Sequence, residues 1–232
     1  MYGEGHEMKP IYEPKGKAKE YGDLAINIYT GCPHRCFYCY APNVLRRDKE
    51  KFHTVVEPRP NIVEEVKKQI EKEHITNKLI HLCFTCDPYP TGYDTTPTRE
   101  IIKIIKASGN NVQILTKGDG SRDFDLLDEN DWYGITYDGT QSVVFAADEI
   151  EEAHKRGIST WVSFEPVIQE ENVIDFIDYY HDYIDKAKIG KLNYYPSKIA
   201  WGDFGKRAVA MCERWDVEYY IKESLMEEMK TN

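Results

Sequence analysis

No apolar run in this 232-residue chain is long enough to cross a bilayer, which excludes a helical membrane span. The opening residues, MYGEGHEMKPIYEPKGKAKEYGD, lack the apolar core of a secretory signal. A cytoplasmic setting is the expectation, and thiols stay reduced there. Internal repeats, low-complexity tracts and evident linkers are all missing, which excludes repeat architectures. Positive charge is in deficit. Thirty Lys and Arg stand against 40 Asp and Glu, for a formal net charge of −10. That balance aids solubility and opposes broad attraction to a phosphate backbone, so a nucleic-acid substrate would need a local basic groove.

What is present is enough chain for one large domain with a proper core. Residues 1–23 are polar and rich in Gly, Pro and Lys, and read as an extended lead-in. Residues 24–232 read as one domain in which short apolar runs alternate with helical patterns. The strand candidates are Leu24–Tyr29, Lys78–Thr85, Asn110–Gly118, Trp132–Gly139, Ile158–Val167 and Lys186–Asn193. Between them, Ile62, Val66 and Ile70 share one helical face, and Val173, Ile177, Tyr180 and Ile184 another. Thr96 or Thr98 is positioned to cap a helix that Gly109 ends. Strand–helix alternation about six times over predicts a parallel sheet. Six units are too few for a closed eight-fold barrel, so the expected fold is α/β: a partial (β/α)6 TIM-like barrel, mostly parallel. In such folds the chemistry sits at the C-terminal ends of the strands.

The segment INIYTGCPHRCFYCYAPN, Ile26 to Asn43, holds Cys32, Cys36 and Cys39 within eight positions. In a reducing compartment this pattern points to metal ligation or catalysis rather than disulfides. Thiolates are soft ligands that suit zinc, copper(I) or iron–sulfur clusters. Structural zinc wants four ligands, and His34 or a distant cysteine is the fourth candidate. A four-iron cluster normally takes four cysteines; three leave one iron open to other chemistry.

GCPHRCFYCYAP resembles the cluster loop of the radical S-adenosylmethionine enzymes. The resemblance implies a [4Fe–4S] cluster held by Cys32, Cys36 and Cys39, with S-adenosylmethionine chelating the fourth iron. It also implies reductive cleavage to a 5′-deoxyadenosyl radical, Tyr38 packed by the adenine, and a one-electron reductant such as flavodoxin or ferredoxin. The segments TCDPYP, ILTKG with RDFDLL, SFEPV and KIGKLNYYP extend the similarity from about Lys15 to Leu225. Together they resemble the spore photoproduct lyase-like branch. That branch implies lyase chemistry on a nucleic acid base, with a DNA-repair role. The Gly-Gly-Glu that follows strand two in many members is absent, and Asp87 with nearby carbonyls is expected in its place.

Other residues follow from position. Lys117, after strand three, is a point charge for a cofactor carboxylate or a phosphate, and Thr116 a partner for a ribose hydroxyl. Glu165, at the end of a buried strand, needs a partner: the cofactor or a structural Lys or Arg. Cys86 is a candidate hydrogen-atom donor or redox partner, with Cys83 and Cys212 in the core. Tyr194, beside Asn193 and Tyr195, can relay a radical or stack on a base. Arg46, Arg47, Lys49 and Lys51 form a basic run that greets phosphate or is a solvated face. Two rivals stand beside this reading. One is a radical enzyme acting on a peptide, a nucleotide or a small metabolite. The other is a zinc-stabilised binding module using the three cysteines and His34.

Overall fold

The computed structural model describes residues 9–230, in two compact units that divide between Ile114 and Leu115. In the first unit β1 (Ile11–Tyr12) pairs antiparallel with β2 (Leu24–Ile26). The chain then makes α1 (Ala41–Val44), α2 (Lys49–Thr54) and α3 (Ile62–Glu73). It returns as β3 (Leu79–Leu82), parallel to β2, passes through α4 (Thr96–Ala107), and starts β4 (Asn111–Thr116), whose residues up to Ile114 belong to this unit and pair parallel with β3. The second unit holds β5 (Trp132–Thr136), α5 (Val143–Lys155), β6 (Ser159–Phe164), α6 (Glu170–Tyr180) and β7 (Lys186–Ile189). It ends with α7 (Trp201–Arg214), β8 (Glu218–Ile221) and α8 (Glu223–Lys230). β5, β6, β7 and β8 are paired in that order and all parallel.

Each expected strand is present, with its C-terminal end trimmed. β2 stops at Ile26 rather than Tyr29, and β3 at Leu82 rather than Thr85. The reason is local. Cys83 has φ +73°, in the left-handed region, and a strand cannot continue through it. Asn27 turns out of the ladder, and its Oδ1 accepts from both Phe84 N and Thr85 N at 2.9 Å. The lead-in contributes β1, and the tail contributes β8. Neither has the six-fold periodicity that marked the others.

The stripe Ile62, Val66 and Ile70 is buried as its spacing predicts. Val173 and Ile177 are buried on α6, while Ile184 lies beyond the helix end. The expected cap on α4 is corrected. The N-cap is Thr95, and Asp94 Oδ1 accepts from Thr96 N at 2.9 Å. Thr98 is instead buried, donating to Pro88 O at 2.7 Å and bonded to Tyr29 Oη at 3.0 Å. Gly109, at φ +69°, does end the helix.

β6 is buried along nearly its whole length, as a parallel strand covered on both faces must be. Trp161 on it sits opposite Gly134 in the β5–β6 register. A Cβ at Gly134 would stand 2.2 Å from the Trp161 indole nitrogen. Gly134→Ala is therefore expected to destabilise the protein by about 1–3 kcal/mol through overpacking. The check is urea denaturation, with a lower midpoint and an unchanged slope.

Candidate functional site

The cysteine loop follows β2 directly, and backbone contacts from α2 and the segment just after it hold it. Cys32 N donates to Phe52 O at 3.1 Å, and Thr30 N to Glu57 O at 2.8 Å. Gly31 lies so close to this segment that a Cβ would stand 2.4 Å from Phe52 O and 2.5 Å from Val55 O. Only glycine leaves room for that approach. His53, 4% exposed, donates from Nδ1 to Cys32 O at 2.8 Å. α2 is in turn capped by Asp48, whose Oδ1 accepts from Lys51 N at 2.8 Å. Arg47 donates to Thr30 O, and Arg35, at φ +51°, makes a bidentate pair with Glu50.

Cys36 and Cys39 are joined by a tight turn, with Cys39 N donating to Cys36 O at 3.0 Å. All three cysteines are free and half-buried. Burial pushes the Cys32 thiol well up, and the Asp87 carboxylate adds to the effect. Burial likewise raises Cys39, partly offset by the Ala41 N–H. These thiols resist ionising until a soft cation takes their protons' place. Tyr38 is half-buried, in edge-to-face contact with Phe37 at 5.1 Å. Tyr40 donates to Phe84 O at 2.6 Å, tying the loop to the exit of β3.

That exit carries Cys86 and Asp87. Asp87 is buried; Oδ1 accepts from Tyr89 N at 2.8 Å, and Oδ2 faces His34 Nδ1 at 3.3 Å. His34 Nε2 meets Thr91 Oγ1 at 3.2 Å. Both nitrogens of His34 are therefore engaged, one with Asp87 and the other with Thr91. Among the described residues, no three His, Cys, Asp or Glu side chains converge as a single metal ion requires. A four-iron cluster makes a different demand, since each thiolate takes its own iron. Three free thiols on one clamped loop fit that donor set.

The remaining candidates lie in the second unit and are engaged there. Thr116 Oγ1 accepts from Gly118 N at 2.8 Å, so the hydroxyl shapes its own turn. Lys117 Nζ pairs with Asp138 Oδ2 at 2.9 Å, and Asp138 Oδ1 accepts from Thr140 N at 2.9 Å. Glu165, at the end of β6, pairs with buried Lys222 at 3.2 Å. Gly190 leaves the space, since a Cβ there would stand 3.0 Å from side-chain atoms of both. Tyr194 is 96% exposed at φ +66°. Cys212 is buried on α7, where burial pushes its thiol up to about 12.

Sequence reasoning missed Asn27, Gly31 and His53. An asparagine inside an apolar strand pattern, INIY, was a usable signal, because Asn is depleted in strands. His53 gave none.

The family model of the radical SAM superfamily matches residues 26–190, and the chain belongs to that superfamily. The superfamily's cofactors, a [4Fe–4S] cluster and S-adenosylmethionine, are the cofactors of this domain. A spore photoproduct lyase variant with bound AdoMet and dinucleoside spore photoproduct is similar at TM-score 0.66 and 14% identity, over 90% of this chain and 78% of that one. Streptococcus suis SuiB bound to precursor peptide SuiA is similar at TM-score 0.60 and 11% identity, over 92% of this chain and 53% of that one. Such likenesses establish the fold as the partial, mostly parallel TIM-like α/β barrel. An uncharacterised protein of Acidianus two-tailed virus is 29% identical over 147 residues, which is 55% of this chain. The chain spans 48% of that curated relative's length. No helix among the described residues is long and apolar enough to cross a membrane.

Asp87→Asn removes the negative charge that helps hold the Cys32 thiol up. The Cys32 pKa is expected to fall, so Cys32 in the metal-free protein alkylates faster at a fixed, mildly alkaline pH. Peptide mass spectrometry of iodoacetamide-treated protein reads the rate.

Proposed function

We propose that this protein is a radical S-adenosylmethionine enzyme whose cluster is held by Cys32, Cys36 and Cys39. The observation that carries the reading is the clamped loop, with three free thiols and with both His34 nitrogens committed to other partners. When bound, the cluster and S-adenosylmethionine would supply one-electron reductive radical chemistry, with Cys32, Cys36 and Cys39 holding the cluster. The chain's own residues position and shield it. α2 and Gly31 fix the loop backbone. Tyr38 would flank the adenine. Asp87, buried beside the loop, is the acceptor assigned to the methionyl amine in place of the absent Gly-Gly-Glu. Thr116, Lys117 and Glu165 are assigned to the cofactor or substrate. Their partners, Gly118, Asp138 and Lys222, would have to yield or share. Cys86 and Tyr194 are the proposed hydrogen-atom or radical partners.

For the substrate we infer a nucleic acid base, with lyase chemistry like that of the spore photoproduct lyases and a role in DNA repair. The fold likeness to those lyases supports this, as does the exposed basic run Arg46, Arg47, Lys49 and Lys51 beside the cysteine loop. Arg47 and Lys51 line a hollow of about 450 Å³ floored by Phe52 and Val55. The net charge of −10 weighs against it. A peptide substrate is the second reading, favoured by the likeness to a peptide-bound fold. The enzyme also needs an external one-electron donor, a flavodoxin or a ferredoxin.

The test is anaerobic reconstitution with iron and sulfide, reduction, and addition of S-adenosylmethionine. Release of 5′-deoxyadenosine is expected from the wild type and lost in Cys36→Ala. A protein that binds one zinc and stays colourless would instead support the binding module. A nucleic-acid substrate predicts DNA binding that weakens steeply with salt, by about one power of concentration per phosphate contact. Absence of binding at low salt turns the assignment to the peptide.

A further inference from the structure

We propose that Asp138 is a positioning residue that acts through Lys117 and sets the preference of the cofactor site for a sulfonium over a neutral sulfur. The proposal rests on reading Lys117 as the contact of the cofactor's carboxylate. Lys117 stands just past β4, and Asp138 two residues past the end of β5, so both lie at C-terminal strand ends. Lys117 Nζ meets Asp138 Oδ2 at 2.9 Å, with the two side chains 17% and 5% exposed. Asp138 Oδ1 accepts from Thr140 twice, from N at 2.9 Å and from Oγ1 at 2.6 Å. The backbone is fixed as well. Asp138 N donates to Gln141 Oε1 at 3.0 Å, and Asp138 O accepts from Ile168 N at 2.8 Å and Gln169 N at 3.3 Å. Gly139, at φ +89°, permits the turn, and a Cβ there would stand 2.5 Å from Gln169 O.

The Asp138 carboxylate is therefore aimed, and it is aimed at the lysine. A buried ion pair adds little to stability, because desolvation of the two charges offsets their attraction. Stability alone gives no reason to brace one from so many sides. Lysine is a point charge on a flexible stem, and fixing it in one place costs rotamer freedom. Asp138 fixes the ammonium before any ligand arrives. An ammonium has three donors and can hold two carboxylates at once.

Charge decides what the pair favours. S-adenosylmethionine carries a carboxylate, an ammonium and a sulfonium, and is a net cation. S-adenosylhomocysteine has the same carboxylate and ammonium but a neutral sulfur. A lone lysine attracts the carboxylate and repels both positive centres of the first ligand. Paired with Asp138, Lys117 offers a positive end to the carboxylate while the pair has no net charge. The sulfonium then meets no added repulsion. Removing the Asp138 charge leaves an unbalanced cation, which penalises the sulfonium and not the neutral sulfur. Removing the Lys117 charge leaves an unbalanced anion, which does the opposite.

The experiment measures binding without turnover. Cluster-loaded, unreduced protein is dialysed anaerobically against labelled S-adenosylmethionine or S-adenosylhomocysteine, and the ratio of the two affinities is the preference. Asp138→Asn is expected to lower the preference for S-adenosylmethionine several-fold. Lys117→Gln should weaken both ligands by about tenfold, the loss of one charge-assisted hydrogen bond, and raise the preference. The double variant is neutral again, so its preference should return close to the wild-type ratio while both ligands stay weak. If Asp138→Asn does not fold, Lys117→Gln and the double variant still carry the comparison. In the metal-free protein, acylation of Lys117, read on the tryptic peptide 107–122 that retains it, should be several-fold faster in Asp138→Asn. If Lys117→Gln weakens both ligands and the preference is the same in every variant, Asp138 is structural only and the proposal is overturned. Equal acylation rates overturn the hold on Lys117. If Lys117→Gln leaves both affinities unchanged, the reading of Lys117 as a cofactor contact fails and the proposal with it. A protein that takes up no iron fails the cluster reading and the proposal together, and its missing colour tells that case apart.

Discussion

The backbone hydrogen bonds that hold the cysteine loop against α2 are the constraint on which the site depends. A loop carrying three thiols has no regular structure of its own to hold it, and buried amides without partners would unfold it. Phe52 O accepts from Cys32 N, while His53 donates to Cys32 O, so both sides of one peptide neighbourhood are fixed. The close approach works only because position 31 has no Cβ. α2 is a short helix, too short to be stable alone. It is kept by its Asp48 cap and by burial of Phe52, and in turn it fixes the backbone of the cysteine loop.

A second layer of the same logic lies where β2 and β3 end. The two parallel strands release their chains at the same end of the sheet, as the fold requires. Asn27 bridges them by accepting from Phe84 and Thr85, and donates in turn to Tyr12 at 2.7 Å. Asp87 and His34 then meet across the two exits. The polar groups in this region are largely engaged with each other. That is the condition for a buried polar site to be rigid rather than costly. In the second unit the strand ends carry their own charge pairs, Lys117 with Asp138 and Glu165 with Lys222. Buried charges of this kind persist because each has a partner.

The chemistry assigned to the chain divides along similar lines. Radical formation belongs to the bound cofactors, and the protein's part is position, shielding and selection of the substrate. Substrate choice lies in side chains at strand ends and in loops, which differ freely among proteins that share this fold. The likenesses to a photoproduct lyase with a bound dinucleoside and to a protein with a bound peptide show one scaffold serving different ligands.

The sequence by itself determined the soft-ligand cysteine loop and the alternation of strands and helices. Three cysteines within eight residues are a local fact, and so is a helical stripe such as Ile62, Val66 and Ile70. Local spacing survives folding unchanged. The tertiary structure alone decided which groups surround those cysteines. His53 reaches Cys32 across 21 residues, and Cys86 receives the Tyr29 N–H across 57. It also decided where strands stop, because Cys83 enters the left-handed region in a place no periodicity marks. Hydrogen bonds and ion pairs between distant residues depend on how the chain returns, and that return is set by packing of the whole unit rather than by any short window of residues.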